Sequence, residues 1–511
     1  MPEGAWGAGI VQIRGRAFRL RKNHMQGSGI FRKKVLKNGK KQEKTVGIFG
    51  DLRKIDIYGI ITCYDWILKI KLFSQGKVHP MSYSFQGGVY LDANREKTLH
   101  KPCFAFDRVA SVKIPLGGSG MDFTPAVAPG DPVRLGQVIA VSTILPGFGL
   151  HASISGTVTE IGDGVLPDGR FISCIEIEND LRDEPEPAAH PMDWQQMEPE
   201  QINEAICAAG IVGRDAYPSF VKIGRMLGHA DTLIVDGLDG EPWESAVYRA
   251  LCEDAADIVE GVHVLMRLFG RLRCAVAMPE ERGEAAQAMR RAVGGDNRIR
   301  LVRLRDKYPQ SDEGLLIRTI TGRKSGGGYR DDRCLVLQAQ EMAAIGRALR
   351  DGTPDICRIV TVSGDAVANP KNIRARIGTA WYELVRVCGG YIQTPNRLIV
   401  GGVMRGEATF TDNIAFAPGA QAFTALCADT TTAPGPCLHC GRCVQACPYG
   451  VMPSYVHLFL EKGNIEKLAA LGVERCTACG ACACVCPAHI RLVQTLSRAQ
   501  QALTGQEERQ G

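Results

Sequence analysis

At 511 residues the chain exceeds what one ordinary hydrophobic core serves, and its 45% hydrophobic and 23% charged residues are the balance of a soluble globular protein. No run of about 18 apolar residues occurs, which argues against a transmembrane helix; the nearest stretch, YGIITCYDWILKIKLF, is broken by Asp65 and Lys69. No uninterrupted apolar region follows the first basic residues, so no secretory signal is expected.

The formal net charge of +6 hides an asymmetry. Residues 1–80 hold 17 Lys and Arg against 5 Asp and Glu, whereas the remainder holds 44 against 50. A basic arm can bind nucleic acid or anionic lipid. The segment RKNHMQGSGIFRKKVLKNGKKQEK, however, has no aromatic interleaving, no periodicity and no nucleic-acid motif. Residues 1–80 are therefore expected to be a basic, disordered extension. Composition changes at Met81, which is compatible with a natural start there.

The next segments alternate in character. Residues 81–195 contain PAVAPGDPVRLGQVIAV and HASISGTVTEIGDG, short β-branched runs between Gly, Pro and Asp turns, and predict a compact β-domain with a lead-in. Over residues 196–356, EQINEAICAAG predicts a helix and DTLIVDG a strand. ESAVYRALCEDAADIVEGVHVLMRLFG then predicts one helix and CAVAM another strand. That β-α-β rhythm predicts a parallel sheet covered by helices. Over residues 357–425 the strands RIVTVSG and IRARIG, the helix AWYELVRVCGG and the strand RLIVGG predict a small α+β unit. Pro434 to Pro436 mark a linker within residues 426–500, and residues 501–511 are read as a tail.

Nine of the nineteen cysteines lie between Cys437 and Cys486, which points to metal in a reducing compartment, the cytoplasm. The run CLHCGRCVQACPYG supplies Cys437, Cys440, Cys443 and Cys447, and CTACGACACVCPAH supplies Cys476, Cys479, Cys482 and Cys486. Both follow C-x2-C-x2-C-x3-C-P, in which three thiolates converge on one iron–sulfur cubane and the fourth crosses to its neighbour. One 4Fe–4S cluster is assigned to Cys437, Cys440, Cys443 and Cys486, and a second to Cys476, Cys479, Cys482 and Cys447. The competing reading is a pair of zinc sites, which usually join two separated CxxC units. Cys484 is out of register and is read as a non-ligand, as are His439 and His489. SYVHLFLEKGNIEKLAAL, between the runs, predicts helical packing broken near Gly463. Two adjacent clusters imply one-electron transfer. No catalytic nucleophile motif, P-loop or nucleic-acid module is present.

Further motifs accompany the cysteine runs: FQGGVYLDANREKTLHKP, PGDPVRLGQVIA, HASISGTV, YPQSDEGLLI, VTVSGDAV and RIGTAWYELVRVCGG. In this order they resemble the RnfC subunit of the Rnf complex, the ion-translocating ferredoxin:NAD oxidoreductase, from about Phe85 to Leu496. The resemblance implies a multidomain α/β and α+β fold. Its parts are a barrel-sandwich (lipoyl-like) module, an α/β domain like the flavin subunit of complex I, an SLBB β-grasp domain and a helical two-cluster ferredoxin domain. It also implies FMN, NADH and two 4Fe–4S clusters, other subunits of a membrane complex as partners, ferredoxin reached indirectly, and a peripheral place on the cytoplasmic face of the membrane.

Three elements depart from that family's pattern. Its loop GxGGAGFPTxxK reads GIVGRDAYPSFVK here: Gly213, Pro218 and Lys222 match, while Arg214, Asp215 and Ala216 replace glycines. Its NGAECEPY reads DGLDGEPW, with Asp239, Gly240 and Glu241, and its VQN segment reads VLQAQEM, with Ala339 in place of Asn. Glycine lets backbone N–H groups approach a phosphate closely. Lys222, Asp239 and Glu241 are the residues expected to remain at a flavin/NADH site. FMN and NADH are expected to bind weakly or not at all, the alternative being drift around a retained pocket. A Gly-rich run, KSGGGYRD at 324–331, reads as a flexible turn. Three functions stay open: an NADH-linked electron-transfer subunit of an Rnf-type translocase, a cluster-only carrier or docking subunit, and a relative serving a soluble cobalamin or proline reductase.

Overall fold

The computed structural model describes residues 84–510 apart from 119, 188–189, 281–282, 324–332 and 428–431, together with the backbone of four short strands between residues 11 and 47. The chain divides into two units, Met1–Met81 and Ser82–Gly511. In the first, Val11–Ile13 pairs antiparallel with Arg16–Phe18, and Ile30–Lys37 with Lys40–Gly47. Composition led to an expectation of disorder here; the Asn38-Gly39 dipeptide, the strongest short hairpin signal, lies between the latter pair in sequence. The rest of residues 1–83, and the KSGGGYRD run, lie outside the described residues.

The second unit opens with a strap that crosses later parts of the chain. The Gly88 N–H donates to the Ala446 carbonyl at 2.8 Å, and Val89 and Tyr308 exchange backbone bonds at 2.9 Å. Arg95 donates to the carbonyls of Asp239 and Glu241 at 2.8 and 2.9 Å. At Gly87 (φ +77°) a Cβ would stand 2.8 Å from the Cys447 carbonyl oxygen, so glycine is what lets the strap pass the cysteine domain.

Residues 111–179 form two four-stranded sheets. One runs 149–151, 138–142, 121–125, 117–118; the other runs 111–115, 171–179, 156–165, 132–133. Alternate residues such as Val112 and Ile114 point into a core shared with Ile139, Ile154, Ile175 and Ile177, the period-two pattern of a half-buried strand.

Four parallel strands follow, in the order 299–304, 273–279, 232–236, 334–338. Leu233 to Val235 are fully buried because helices cover both faces. The single helix expected over residues 244–270 is two, Ala246–Glu253 and Ala255–Phe269. The break at Asp254 sets its carboxylate 2.7 Å from the Arg374 guanidinium, a tertiary contact that overrides local helix propensity.

A six-stranded mixed sheet comes next, in the order 407–409, 397–400, 422–426, 357–363, 371–376, 104–106. Its last strand, Phe104–Phe106, comes from the lead-in expected to belong with the barrel-sandwich module. Trp381 stacks on Phe423 in its core. The chain closes with helices Arg442–Ala446, Pro453–Glu461, Ala481–Cys484 and Leu492–Gln510 around three 3-10 turns. Among the described residues no helix is long and apolar enough to cross a membrane.

Candidate redox site

The two cysteine runs share one backbone shape. The residue before the second cysteine is left-handed in each, His439 (φ 53°) and Ala478 (φ 54°). So is the glycine after it, Gly441 or Gly480, which caps the short helix that follows. A third left-handed residue stands three positions after each closing cysteine, Gly450 and His489. His439 and His489 therefore fill turn positions. Successive turns of this kind aim backbone N–H groups inward, toward anionic sulfur.

That shape carries each closing cysteine away from its own run. Cys437, Cys440, Cys443 and Cys486 line one void of about 20 Å³, beside Gly441 and Ala488. Cys447 lies near Cys476, Cys479 and Cys482: burial pushes those three thiols up, and the neighbouring thiolate charges, Cys447 included, push them further. Among the described residues no three His, Cys, Asp or Glu side chains group as a single ion requires. At the first quartet Cys440 and its neighbour Leu438 are exposed while Cys443 is buried, and Cys484, also exposed, belongs to neither quartet.

A cavity of about 730 Å³ is lined by the β-domain, the parallel sheet and the six-stranded sheet together. The loop before the helix Ser219–Met226 enters it with Arg214, Asp215 and Ala216, and the helix itself with Lys222. The Lys222 ammonium stands 2.9 Å from the Asp215 carboxylate, which also accepts the Tyr217 N–H at 3.2 Å. Arg214 donates to the Ser311 carbonyl at 3.3 Å and lies 3.8 Å from Asp236. Burial opposes the charge on Lys222, but Glu341 and Asp215 outweigh it and hold its pKa above the usual value. Burial, reinforced by Glu241, pushes Glu244 up to about 8; burial also pushes Asp236 up to about 7 despite Arg214. Burial lowers His151, on the same wall, to about 4.

Lys222 and Glu241 line this cavity, and Asp239 does not. The Asp239 carboxylate instead accepts the N–H groups of Val247 and Tyr248, at 2.8 and 3.2 Å, and so caps the helix Ala246–Glu253. Glu241 accepts the Met404 N–H at 2.7 Å and lies 3.4 Å from the Tyr308 hydroxyl. Sequence reasoning missed the groups that join this wall to the second quartet. The Tyr308 hydroxyl donates to the Cys479 carbonyl, Arg405 pairs with Asp312 at 2.9 Å, and the Tyr449 hydroxyl donates to Asp312. Tyr449, directly after Cys447-Pro448, and Tyr308 and Asp312, within the motif YPQSDEGLLI, carried a positional hint, whereas Arg405 carried none.

Four family models match in chain order: the RnfC barrel sandwich hybrid domain over residues 83–182, the Nuo51 FMN-binding domain over 206–342, the SLBB domain over 359–408 and the 4Fe-4S dicluster domain over 436–490. The last spans all eight cysteines of the quartets, and two 4Fe–4S clusters are its cofactors. FMN is implied by the second model, but the described residues do not fit its phosphate, because Lys222, on the helix after the loop, is already held by Asp215. Among curated proteins, the RnfC subunit of the proton-translocating ferredoxin:NAD(+) oxidoreductase complex of Clostridium ljungdahlii is 33% identical, over 76% of this chain and 86% of that one. The RnfC subunit of the ion-translocating oxidoreductase complex of Rhodobacter capsulatus is 32% identical, over 84% of this chain and 85% of that one. The Na(+)-translocating counterpart of Acetobacterium woodii is 29% identical, over 75% and 89%. By its domain order, its two cysteine quartets and this similarity along most of its length, the protein belongs to the RnfC family, whose members are subunits of the ion-translocating ferredoxin:NAD(+) oxidoreductase complexes.

Proposed function

We propose that this chain is the electron-transfer subunit of a membrane-associated, ion-translocating ferredoxin:NAD(+) oxidoreductase. The clusters supply one-electron chemistry when bound. Cys437, Cys440, Cys443 and Cys486 hold the first, and Cys476, Cys479, Cys482 and Cys447 hold the second. The observation that carries this reading is the join between the cavity and the second quartet, through Glu241, Tyr308 and the Cys479 carbonyl. Groups in direct contact keep an electron path short. The exposed rim of the first quartet offers the opposite end of that path to another subunit.

In this reading the chain lies at the cytoplasmic face, held by protein partners, with NADH and ferredoxin served by the complex as a whole. Eight thiols that must stay reduced support that compartment. A cluster-only carrier or docking role is the second reading, and the Asp215–Lys222 pair favours it. The test is anaerobic purification of the tagged chain from membranes. The expected result is about eight irons per chain, two distinguishable paramagnetic clusters and co-purifying integral-membrane partners. A chain without iron, or one that never associates with membrane partners, would overturn the proposal.

A further inference from the structure

We infer that Asp215 is a built-in anion that occupies the place of a ligand phosphate at the cavity and so selects against phosphate-bearing ligands. The helix Ser219–Met226 directs the positive end of its dipole toward the preceding loop, although its Ser219 N–H already donates to the Ile211 carbonyl at 2.9 Å. Lys222, in the first turn, adds an ammonium group. An ammonium group beside a helix N-terminus would hold a phosphate, and a carboxylate from the chain itself has taken that ammonium group. One Asp215 oxygen is 2.9 Å from Lys222 Nζ, and the other accepts the Tyr217 N–H at 3.2 Å. Ala216, between Asp215 and Tyr217, is left-handed at φ 53°, a conformation that favours glycine. The loop therefore holds the turn at the expense of some strain.

The other cations on the wall are also matched. Arg405 pairs with Asp312 at 2.9 Å, Arg170 with Asp168 at 2.6 Å, and Arg214 faces Asp236 at 3.8 Å. Among the described residues, ten Asp and Glu line the cavity against four Lys and Arg, and eight acidic side chains remain once Glu244 and Asp236, which burial pushes up to about 8 and about 7, are set aside. A phosphate brings close to two negative charges. It would have to displace Asp215 and then face that surplus. The inference concerns the cavity end of the proposed electron path and rests on that reading only there, since the cysteine quartets are built from other residues.

FMN and riboflavin differ only in the phosphate, so they isolate this effect. Each is titrated into full-length, cluster-loaded protein and followed by quenching of flavin fluorescence. Asp215→Asn keeps the size of the side chain and releases Lys222; Asp215→Gly is a second variant with the same expected outcome. FMN should bind both variants at least about tenfold more tightly than it binds the unmodified chain, the factor set by one charge-assisted hydrogen bond. Riboflavin should change by less than about twofold. Adding Lys222→Gln to Asp215→Asn should abolish the FMN gain, and unchanged cluster absorbance shows that each variant has folded. Equal FMN affinity with and without Asp215, whether tight or undetectable, would overturn the inference. So would a parallel gain for riboflavin.

Discussion

Tyr308 lies 3.4 Å from the Glu241 carboxylate and donates its hydroxyl proton to the Cys479 carbonyl, so one phenol spans the cavity wall and the second cysteine run. Burial and the nearby Glu241 charge hold this phenol well above its usual pKa, which keeps it a donor at every working pH. Tyr308→Phe removes the donor and leaves the carbonyl without it. The expected loss is about 1–3 kcal/mol of stability, read by thermal unfolding of the cluster-loaded protein. The midpoint potential of the second cluster should shift while that of the first stays put. A shift confined to the first cluster would contradict this geometry.

Cys447 belongs by sequence to the first run and by position to the second quartet. Cys447→Ala is therefore expected to disturb the cluster held by Cys476, Cys479 and Cys482. Electron paramagnetic resonance should show that signal altered and the other intact. Damage to the first-run cluster alone would mean that the closing cysteines do not cross.

Glu244 is 3% exposed, and its Oε2 has no hydrogen-bond partner among the described residues. Its pKa rises from 4.5 to about 8 on folding, first through burial and then through Glu241. Between those values the folded state binds the extra proton, so this group's stabilisation is complete below about pH 4.5 and is lost as pH rises toward 8. The slope is at most about 1.4 kcal/mol per pH unit. Glu244→Gln should match the unmodified protein near pH 4.5 and become progressively more stable than it toward pH 8. Denaturant titrations across that range check the sign, and parallel curves would refute it.

Arg358 and Asp355 form a buried pair at 2.5 Å, and Arg358 also donates to the Val212 carbonyl at 2.7 Å, just before the Gly213 loop. Arg358→Met leaves a buried carboxylate uncompensated and should lose about 3–5 kcal/mol. Arg358→Met combined with Asp355→Leu should recover much of that loss, because removing both charges also removes their desolvation. A double-mutant cycle measures the coupling; additive losses would show that the two residues act independently.

Chemistry that depends on a single turn is legible in contiguous residues. The Cys437–Cys447 and Cys476–Cys486 runs announce a cubane because three thiolates three residues apart converge by local backbone alone. The parallel-sheet rhythm around Thr232–Asp236 was legible for a similar reason, since periodicity reports which faces are covered. The helix break at Asp254 was not, because the Arg374 that rewards it lies 120 positions away.

The sequence by itself determined the domain order, the metal chemistry and the replacement of loop glycines by Arg214, Asp215 and Ala216, all properties of contiguous residues. Tertiary structure alone decided how those parts face one another. Asp239 and Glu241 are two residues apart, yet one caps a helix and the other opens onto the cavity. Tyr308 reaches Cys479 across 171 positions, and Phe104–Phe106 joins a sheet whose other strands begin at Cys357. Such meetings depend on how whole elements pack, and packing is set by the complementary shapes of distant surfaces that no local pattern encodes.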